Sequence, residues 1–286
     1  MSGPILVVGG DGLIGRALCS RLREKGGKVI ATTRREVAST GDALLRLDLA
    51  KPEEWEVPET CSVAVLCAAA THLAFCRDHP EEARRINVEN TLKLARILTE
   101  RGAFVVFLST NLVFDGETPN TRADAPLDPR TIYGELKAEV ERGLGGEAER
   151  CAIIRLSKVF SPDMPLLANW REALDAGEAV TAFTDYRCAP IDLATTVQAI
   201  CEVAVGERAG VWQLSPEEDV SYAEIAVEFA RRLGADDGLV HAVSSVEKTT
   251  LEHIPRHTTL DASRALEELG LTFPSMPEAL DRVFDS

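Results

Sequence analysis

Short apolar runs alternate with longer amphipathic stretches through the first half of the chain. The runs are rich in β-branched residues and apolar on both faces, which is typical of parallel strands covered by helices on each side. The predicted strands are Ile5–Val8, Lys28–Thr32, Leu44–Leu47, Val63–Leu66, Phe104–Leu108 and Ala152–Leu156; the predicted helices are Gly15–Lys25, Pro80–Arg101 and Tyr133–Leu144. This alternation predicts an α/β fold with a doubly wound parallel sheet.

The pattern changes after Phe160, where prolines divide the chain into shorter pieces. A strongly apolar helix is predicted over 191–205, and a second over Tyr222–Leu233 with Ser221 and Glu224 as a capping box. We expect residues 1–160 to form the larger domain and residues 161–286 to form mainly a smaller, discontinuous lobe that binds the substrate. The helix near 191–205 is expected to return to the larger domain.

A glycine-rich turn follows the first strand and opens the first helix. Its sequence runs from Gly9 through Asp11, Gly12, Leu13 and Ile14 to Gly15. Glycines in such a turn allow a tight bend and a close approach of a pyrophosphate to the positive end of the helix. The alternative is an ordinary glycine-rich loop, but the order of strand, turn, helix and strand predicts a Rossmann dinucleotide-binding domain over residues 1–160.

Two arginines follow the second predicted strand, where NAD-binding proteins usually carry an acidic residue. Arg34 and Arg35 precede the first acid there, Glu36. Guanidinium groups bind a 2′-phosphate, whereas a carboxylate repels it. The sequence therefore predicts NADP(H) as cofactor in preference to NAD(H), the alternative being that both arginines are solvated surface charges.

Weaker cofactor signals follow the third and fourth strands. Asp48 and Leu49 close the third strand, where a carboxylate could accept from an adenine amino group or cap a helix. Small residues follow the fourth strand and leave room for a ribose; they are Ala68, Ala69 and Ala70.

A tyrosine and a lysine four residues apart share one face of a predicted helix. Tyr133 and Lys137 have this spacing, and the ammonium group is expected to lower the pKa of the phenol and make it a usable acid or base. Ser109 and Thr110 come just past an apolar strand, at the sheet edge where ligands bind. Their hydroxyl groups could donate a hydrogen bond to a substrate carbonyl.

The charge of the chain excludes several partners. With 31 Lys and Arg against 46 Asp and Glu, the formal net charge is -15, so neither nucleic acid nor an anionic membrane is an expected partner. Seven cysteines without a pairing pattern indicate free thiols in a reducing compartment, and no leader or membrane span is found, which predicts a cytoplasmic protein. No metal site is predicted.

These motifs resemble the extended short-chain dehydrogenase/reductase family, and within it the dTDP-4-dehydrorhamnose reductase group. The stretch 108–116 (LSTNLVFDG) resembles that group's STDYVFDG, and 154–160 (IRLSKVF) resembles LRTSWVYG. Further similar stretches lie at 126–137, 185–194 and 260–275, so the likeness covers nearly the whole chain. Two departures fall where the sugar is expected: Asn111-Leu112 replaces Asp-Tyr, and Lys158 replaces a tryptophan.

The resemblance implies NADPH-dependent reduction of a keto group on a nucleotide sugar. It assigns catalysis to Thr110, Tyr133 and Lys137, and substrate contacts to Asn111 and Arg187. Cofactor binding or support is expected of Thr71, Asn87 and Ser109, and also of Tyr133 and Lys137, with Lys137 holding the nicotinamide ribose. Arg187 is expected either on a substrate phosphate or in a surface ion pair. The family also implies a possible homodimer.

Two other functions remain open from the sequence. An epimerase or dehydratase on the same scaffold would often prefer NAD, which the arginine pair disfavours. A non-catalytic NADP-binding regulatory subunit, for which the regulatory subunit of methionine adenosyltransferase is a precedent in this family, is disfavoured by the intact Thr110, Tyr133 and Lys137.

Overall fold

A central parallel sheet carries the rest of the structure. The computed structural model describes residues 3–36, 44–145, 149–247 and 252–284. Within these residues seven strands pair in the order β11-β6-β5-β4-β1-β2-β3, every neighbour parallel. The strands are β1 Ile5–Val8, β2 Val29–Thr33, β3 Leu44–Arg46, β4 Val63–Leu66, β5 Phe104–Thr110, β6 Cys151–Leu156 and β11 Gly210–Leu214. The predicted doubly wound parallel sheet is confirmed.

Helices cover both faces of this sheet, as its nearly continuous burial requires. One apolar core lies under α1 (Leu13–Glu24) and α7 (Leu193–Val205), and the other lies under α4 (Thr91–Glu100) and α5 (Ile132–Leu144). The short helices α2 (Leu73–Asp78) and α3 (Pro80–Arg84) lead into α4. A parallel sheet with such covers leaves its carboxyl edge open to ligands.

The predicted helix over Pro80–Arg101 is interrupted. A π-helical segment, Arg85–Asn90, separates α3 from α4. It aims two asparagine side chains at the loops after two strands: Asn87 makes two 2.8 Å hydrogen bonds with the backbone of Ala70, and the Asn90 amide donates to the Leu49 carbonyl at 2.7 Å. Periodicity alone did not reveal this segment, because its residues keep an amphipathic pattern.

The smaller lobe has its own apolar core. It contains α6 (Pro165–Asp175), α8 (Tyr222–Leu233) and α10 (Met276–Phe284), with strands β8 (Val180–Phe183) and β13 (Val240–Val243) paired in parallel. Three further short strands join it to the large domain: β7 (Lys158–Phe160), β9 (Arg187–Cys188) and β10 (Pro190–Asp192); β12 (Val220–Ser221) pairs with β9. The predicted capping box of Ser221 and Glu224 is present at the start of α8.

The chain returns to the large domain between the pieces of the lobe. Ile191 lies in β10 rather than in the predicted helix, and Asp192 caps α7 by accepting from the Thr195 amide at 2.8 Å. Next, β11 adds the seventh strand beside β6, a strand that the sequence analysis did not predict, and α9 (Ser263–Leu269) packs against β11. Residues after 160 therefore contribute one strand, β11, to the central sheet and two helices, α7 and α9, to the layer that covers it.

Residues 252–262, called here the strap, pack against the loop between β5 and α5. His253 contacts the Asp115 carbonyl at 3.0 Å, the His257 amide donates to the Gly116 carbonyl at 2.8 Å, and Leu260 bridges to Thr121. Gly116 has a φ of +75°, and a β-carbon there would lie 2.4 Å from Pro255. The strap can approach this closely only because residue 116 has no side chain.

Candidate active site

The glycine turn lies at the carboxyl end of β1 with its backbone tightly folded. Gly9 has a φ of +79°, and a β-carbon there would meet Ala68 at 2.9 Å. A β-carbon on Gly15 would lie 2.1 Å from the Gly9 carbonyl oxygen. Both positions therefore require glycine, and the turn brings the first residues of α1 against the strand ends.

The start of α1 has the features that a pyrophosphate needs. Gly12 is its N-cap in an extended conformation, without a side-chain hydrogen bond to the first turn, and Leu13 and Ile14 begin the helix. Exposed amide groups at a helix N-terminus bind anions through their N–H groups and the helix dipole. The bare glycine cradle between Gly9 and Gly12 thus fits the diphosphate of a dinucleotide.

The adjacent strand end carries mixed charges. Arg34 and Arg35 are exposed just past β2, the latter with an 80% exposed side chain. The Thr33 hydroxyl, at the end of β2, donates to the Asp11 carboxylate at 2.8 Å, and Arg35 Nε lies 3.6 Å from the same oxygen. In the sequence the first acidic residue after β2 is Glu36, but the fold also places the carboxylate of Asp11, from the glycine turn, at the end of this strand.

The remaining predicted cofactor residues line neighbouring strand ends. Asp48 closes a local turn by accepting from the Ala50 amide at 2.9 Å, and Leu49 is buried. Asp48 caps no helix, because the next helical turn, Pro52–Glu54, has Lys51 at its N-cap without a side-chain hydrogen bond. Ala68, Ala69 and Ala70 follow β4 in half-buried positions, and the exposed Thr71 comes next. Asn87 clamps both backbone groups of Ala70, so it supports this loop from beneath.

A glycine contact places the start of α5 against the turn that follows Thr110. Thr110 ends β5 and caps the short turn Asn111–Val113 by accepting from the Leu112 amide at 3.2 Å. A β-carbon on Gly134 would lie 2.1 Å from the Leu112 carbonyl oxygen, so α5 touches this turn at the residue after Tyr133. Thr131 caps α5 through the Gly134 amide at 3.1 Å, and Glu252 of the strap accepts from the Ile132 amide at 2.8 Å.

Lys137 is buried, and the protein backbone holds its ammonium group. Nζ donates to the Leu108 carbonyl at 2.7 Å and lies 4.5 Å from the centre of the Phe107 ring and 5.8 Å from that of Tyr133. Burial lowers the pKa of Lys137 to about 8, although the nearby Glu141 carboxylate acts in the opposite direction. Lys137 is thus still mainly charged at neutral pH.

The pKa of the Tyr133 phenol shifts in the direction opposite to the one expected from the sequence. Burial raises its pKa above the ordinary value, because removal from water penalises the phenolate. The expected lowering by Lys137 is not found, since the ammonium group points to the Leu108 carbonyl instead of the phenol. The tyrosine is therefore in its protonated, donating form at neutral pH.

Ser109 does not share the position of Thr110. Successive residues of a strand point to opposite faces, and the Ser109 hydroxyl donates to the buried carboxylate of Glu141 at 2.5 Å. This hydroxyl is therefore held by Glu141. The contact with the cofactor or with a substrate carbonyl that the sequence suggests for it stays a prediction. Asn111 is half-buried beside Thr110 and accepts from the Thr110 hydroxyl at 3.2 Å.

A buried ion pair behind the site was missed by the sequence analysis. Arg155 and Glu141 are 5% and 3% exposed, and Arg155 Nη2 donates to Glu141 at 2.7 Å. Nη1 of Arg155 also donates to Ala123 O and to Gln213 Oε1, at 3.0 and 3.1 Å. Two signals could have found the pair: an arginine inside an apolar strand, and an acid that continues the four-residue spacing of Tyr133 and Lys137.

Arg187 lies in the lobe, half-buried on β9. Its Nη2 donates to the Asp219 carbonyl at 2.6 Å, so neither an ion pair nor a ligand is needed to hold it. The Asp219 carboxylate accepts from the Thr258 amide at 2.9 Å. Asp219 therefore links Arg187 on β9 to Thr258 in the strap.

Comparison with known proteins places the whole chain in one family. The model described as "RmlD substrate binding domain" matches residues 3–286. The chain belongs to this family. A dTDP-4-dehydrorhamnose reductase from Streptomyces griseus is 30% identical over 267 residues, covering 91% of this chain and 86% of that protein.

Two further proteins are similar to this chain over most of its length. Methionine adenosyltransferase 2 subunit beta from Bos taurus is 24% identical, covering 93% of this chain and 82% of its own. The fold is also that of a solved dTDP-4-dehydrorhamnose reductase from Bacillus anthracis in complex with NADP, with a TM-score of 0.85, 20% identity, and coverage of 100% of this chain and 99% of that one. No helix among the described ranges could cross a membrane.

The buried pair gives a prediction about stability. Replacing Glu141 with Gln leaves the Arg155 guanidinium buried without a counter-charge, and removing one partner of a buried pair typically costs about 3–5 kcal/mol. Urea unfolding of E141Q is expected to show a loss of this size. The control is Glu139→Gln, whose half-exposed partner is Arg84 at the surface; its loss should stay within about 1 kcal/mol. Equal losses in the two variants would contradict the prediction.

Proposed function

We propose that the protein reduces a keto group on a nucleotide sugar with NADPH, as an extended short-chain reductase. The observation that carries the proposal is the contact between Gly134 and the Leu112 carbonyl, which brings Tyr133 beside the turn capped by Thr110. Family membership supports the same reaction, since the Streptomyces griseus relative is a dTDP-4-dehydrorhamnose reductase. The glycine cradle and Arg34 and Arg35 fit NADPH, and the Bacillus anthracis neighbour binds NADP.

In this proposal Tyr133 is the general acid. Its raised pKa keeps the phenol protonated until the carbonyl oxygen gains negative charge, and the phenol then gives up its proton to that oxygen. The Thr110 hydroxyl, which donates to Asn111 Oδ1 in this structure, turns to donate its hydrogen bond to the same oxygen when the substrate binds. When bound, the reduced nicotinamide supplies the hydride to the carbonyl carbon.

Lys137 acts as a positioned cation. Its link to the Leu108 carbonyl fixes the ammonium group at the strand end, where it can hold the nicotinamide ribose and stabilise negative charge forming on Tyr133. The Asn87 clamp on Ala70 keeps the loop after β4 clear of the ribose. Asn111 and Arg187 are proposed to contact the sugar and its phosphates.

We also propose that the protein is a cytoplasmic homodimer that pairs through the helices over 80–101 and α5. The seven cysteines are scattered along the sequence without a pairing pattern, which suits a reducing compartment. Light scattering measures the mass of the assembly directly.

A non-catalytic, regulatory role is the second candidate, because the chain also resembles methionine adenosyltransferase 2 subunit beta over 93% of its length. NADPH oxidation against a panel of 4-keto nucleotide sugars separates the two. Turnover establishes the reductase, whereas NADPH binding without turnover of any panel member favours the regulatory role.

The phenol of Tyr133 provides the first test. We expect Tyr133→Phe to reduce kcat about 100-fold or more, because the proton donor is lost, with NADPH affinity retained. Tyr222→Phe removes a phenol hydroxyl from α8 in the lobe and should keep normal kcat. Stopped assays and NADPH fluorescence titration measure both quantities. Normal turnover in Y133F would refute the mechanism.

The pH profile provides the second test. Lysine is cationic below its pKa, so kcat/KM should fall as pH rises through about 8, where Lys137 loses its proton. Tyr133 does not produce this limb, because burial raises its pKa. A Lys137→Met variant should be slow and lack the limb near pH 8. A wild-type profile that stays flat to pH 10 would contradict the role of the ammonium group.

Coenzyme preference provides the third test. Reversing one charge beside the 2′-phosphate, with Arg34→Asp, is expected to raise the Kd for NADPH about tenfold or more while NADH binding changes little. Arg208→Asp, after the end of α7, makes the same change of charge at an exposed site away from the coenzyme and from the proposed dimer helices, and should leave both constants unchanged. An unaltered ratio of NADPH to NADH affinity in R34D would rule out the proposed contact.

A further inference from the structure

The end of β2 carries a carboxylate that comes from another part of the chain. Asp11 lies in the glycine turn, 22 residues before Thr33, and accepts the Thr33 hydroxyl at 2.8 Å. Arg35 Nε lies 3.6 Å from the same carboxylate oxygen, and the Arg35 amide donates to the Thr33 hydroxyl at 3.1 Å. Acid, hydroxyl and guanidinium therefore form one cluster, called here the Asp11 cluster.

This position has a defined meaning in a Rossmann fold. A carboxylate at the end of β2 accepts a hydrogen bond from the adenosine ribose 2′-hydroxyl of NAD, whereas an arginine there accommodates the 2′-phosphate of NADP. The Asp11 cluster contains both kinds of group, since Asp11 occupies the end of β2 beside Arg35. The glycine turn that contains Asp11 is also the proposed binding site of the coenzyme's pyrophosphate.

The Asp11 carboxylate and the Arg35 guanidinium are both accessible to solvent, so each can leave the other and bind a ligand group instead. The Asp11 side chain is 34% exposed and that of Arg35 is 80% exposed, so their mutual attraction is weak and screened by water. A 2′-phosphate could draw Arg35 away from Asp11, but it would then lie near the carboxylate charge. A ribose hydroxyl would instead find Asp11 as an acceptor.

We propose that Asp11 is a specificity-determining residue that opposes Arg34 and Arg35 and keeps NADH usable beside NADPH. The inference rests on the proposed coenzyme site. Asp11 accepts the 2′-hydroxyl of NADH, and its negative charge weakens the binding of the 2′-phosphate of NADPH. The coenzyme preference is thus a balance between one acid in the turn and two arginines after β2.

If Asp11 had only a structural role, its variants would be expected to behave differently. If Asp11 only ties the turn to β2 through Thr33, then Asp11→Asn, which keeps an acceptor oxygen for that hydroxyl, leaves ligand choice unchanged. If its charge sets the choice, the same variant favours the phosphorylated ligand. Asp11→Ala removes the ribose acceptor as well, so it should also weaken binding of ligands with a free 2′-hydroxyl.

The test compares two nucleotides that lack the nicotinamide and therefore report on this subsite without turnover. Calorimetric Kd values for 2′,5′-ADP and 5′-AMP, followed by those for NADPH and NADH, are measured on the full-length protein. Removal of a nearby, partly solvated like charge is expected to shift the affinity ratio about fivefold toward 2′,5′-ADP in D11N. Arg35→Gln, at an exposed position that should tolerate substitution, should shift the ratio in the opposite direction.

Glu36→Gln is the matched control, because it removes the same charge from an exposed residue next to Arg35. Its ratio should change less than twofold. The proposal is overturned if D11N and wild type share one ratio, or if E36Q shifts the ratio as much as D11N does. These outcomes are independent of the reductase assay. If the protein reduces a keto sugar but D11N has the wild-type ratio of 2′,5′-ADP to 5′-AMP affinity, only the role of Asp11 is rejected. If D11N shifts this affinity ratio but no keto sugar is reduced, only the proposed reaction is rejected.

Discussion

The carboxylate of Glu141 is the constraint on which the candidate site depends. Two cations, Lys137 and Arg155, are buried near it at the ends of β5 and β6. Burial of a cation is costly without a counter-charge or hydrogen bonds, and Glu141 supplies negative charge to both while accepting from Ser109. The helix that carries Tyr133 is thereby fixed against the strands that carry Thr110.

Close backbone contacts fix the other distances between the elements that form the candidate site. Gly134 lets α5 touch the turn after Thr110, and Gly9 and Gly15 let α1 fold back onto β1. At these points the absence of a side chain decides the distance between two elements, so the reacting groups are carried by regular elements rather than by free loops. The asparagine contacts from the π segment extend the same support to the loops after β3 and β4.

Much of this architecture could be predicted from local pattern. Strands β1 and β4 match their predicted bounds, and four others differ by one or two residues. Strand β11 was missed because it is short, begins with Gly210 and contains the polar Gln213. Ile191 was placed in a helix because Asp192, the true cap, lies inside an apolar run. The direction of the Tyr133 pKa was wrong because spacing on a helix does not tell where a flexible lysine points.

The sequence by itself determined the parallel sheet, the glycine turn and the order of the candidate catalytic residues, because periodicity and glycine spacing are local properties of the chain. Only the tertiary structure decided which distant groups meet: Asp11 with Thr33, Glu141 with Arg155, and Glu252 with the start of α5. These contacts join residues 14 to 120 positions apart. Their partners follow from how helices and strands pack, which no local pattern encodes.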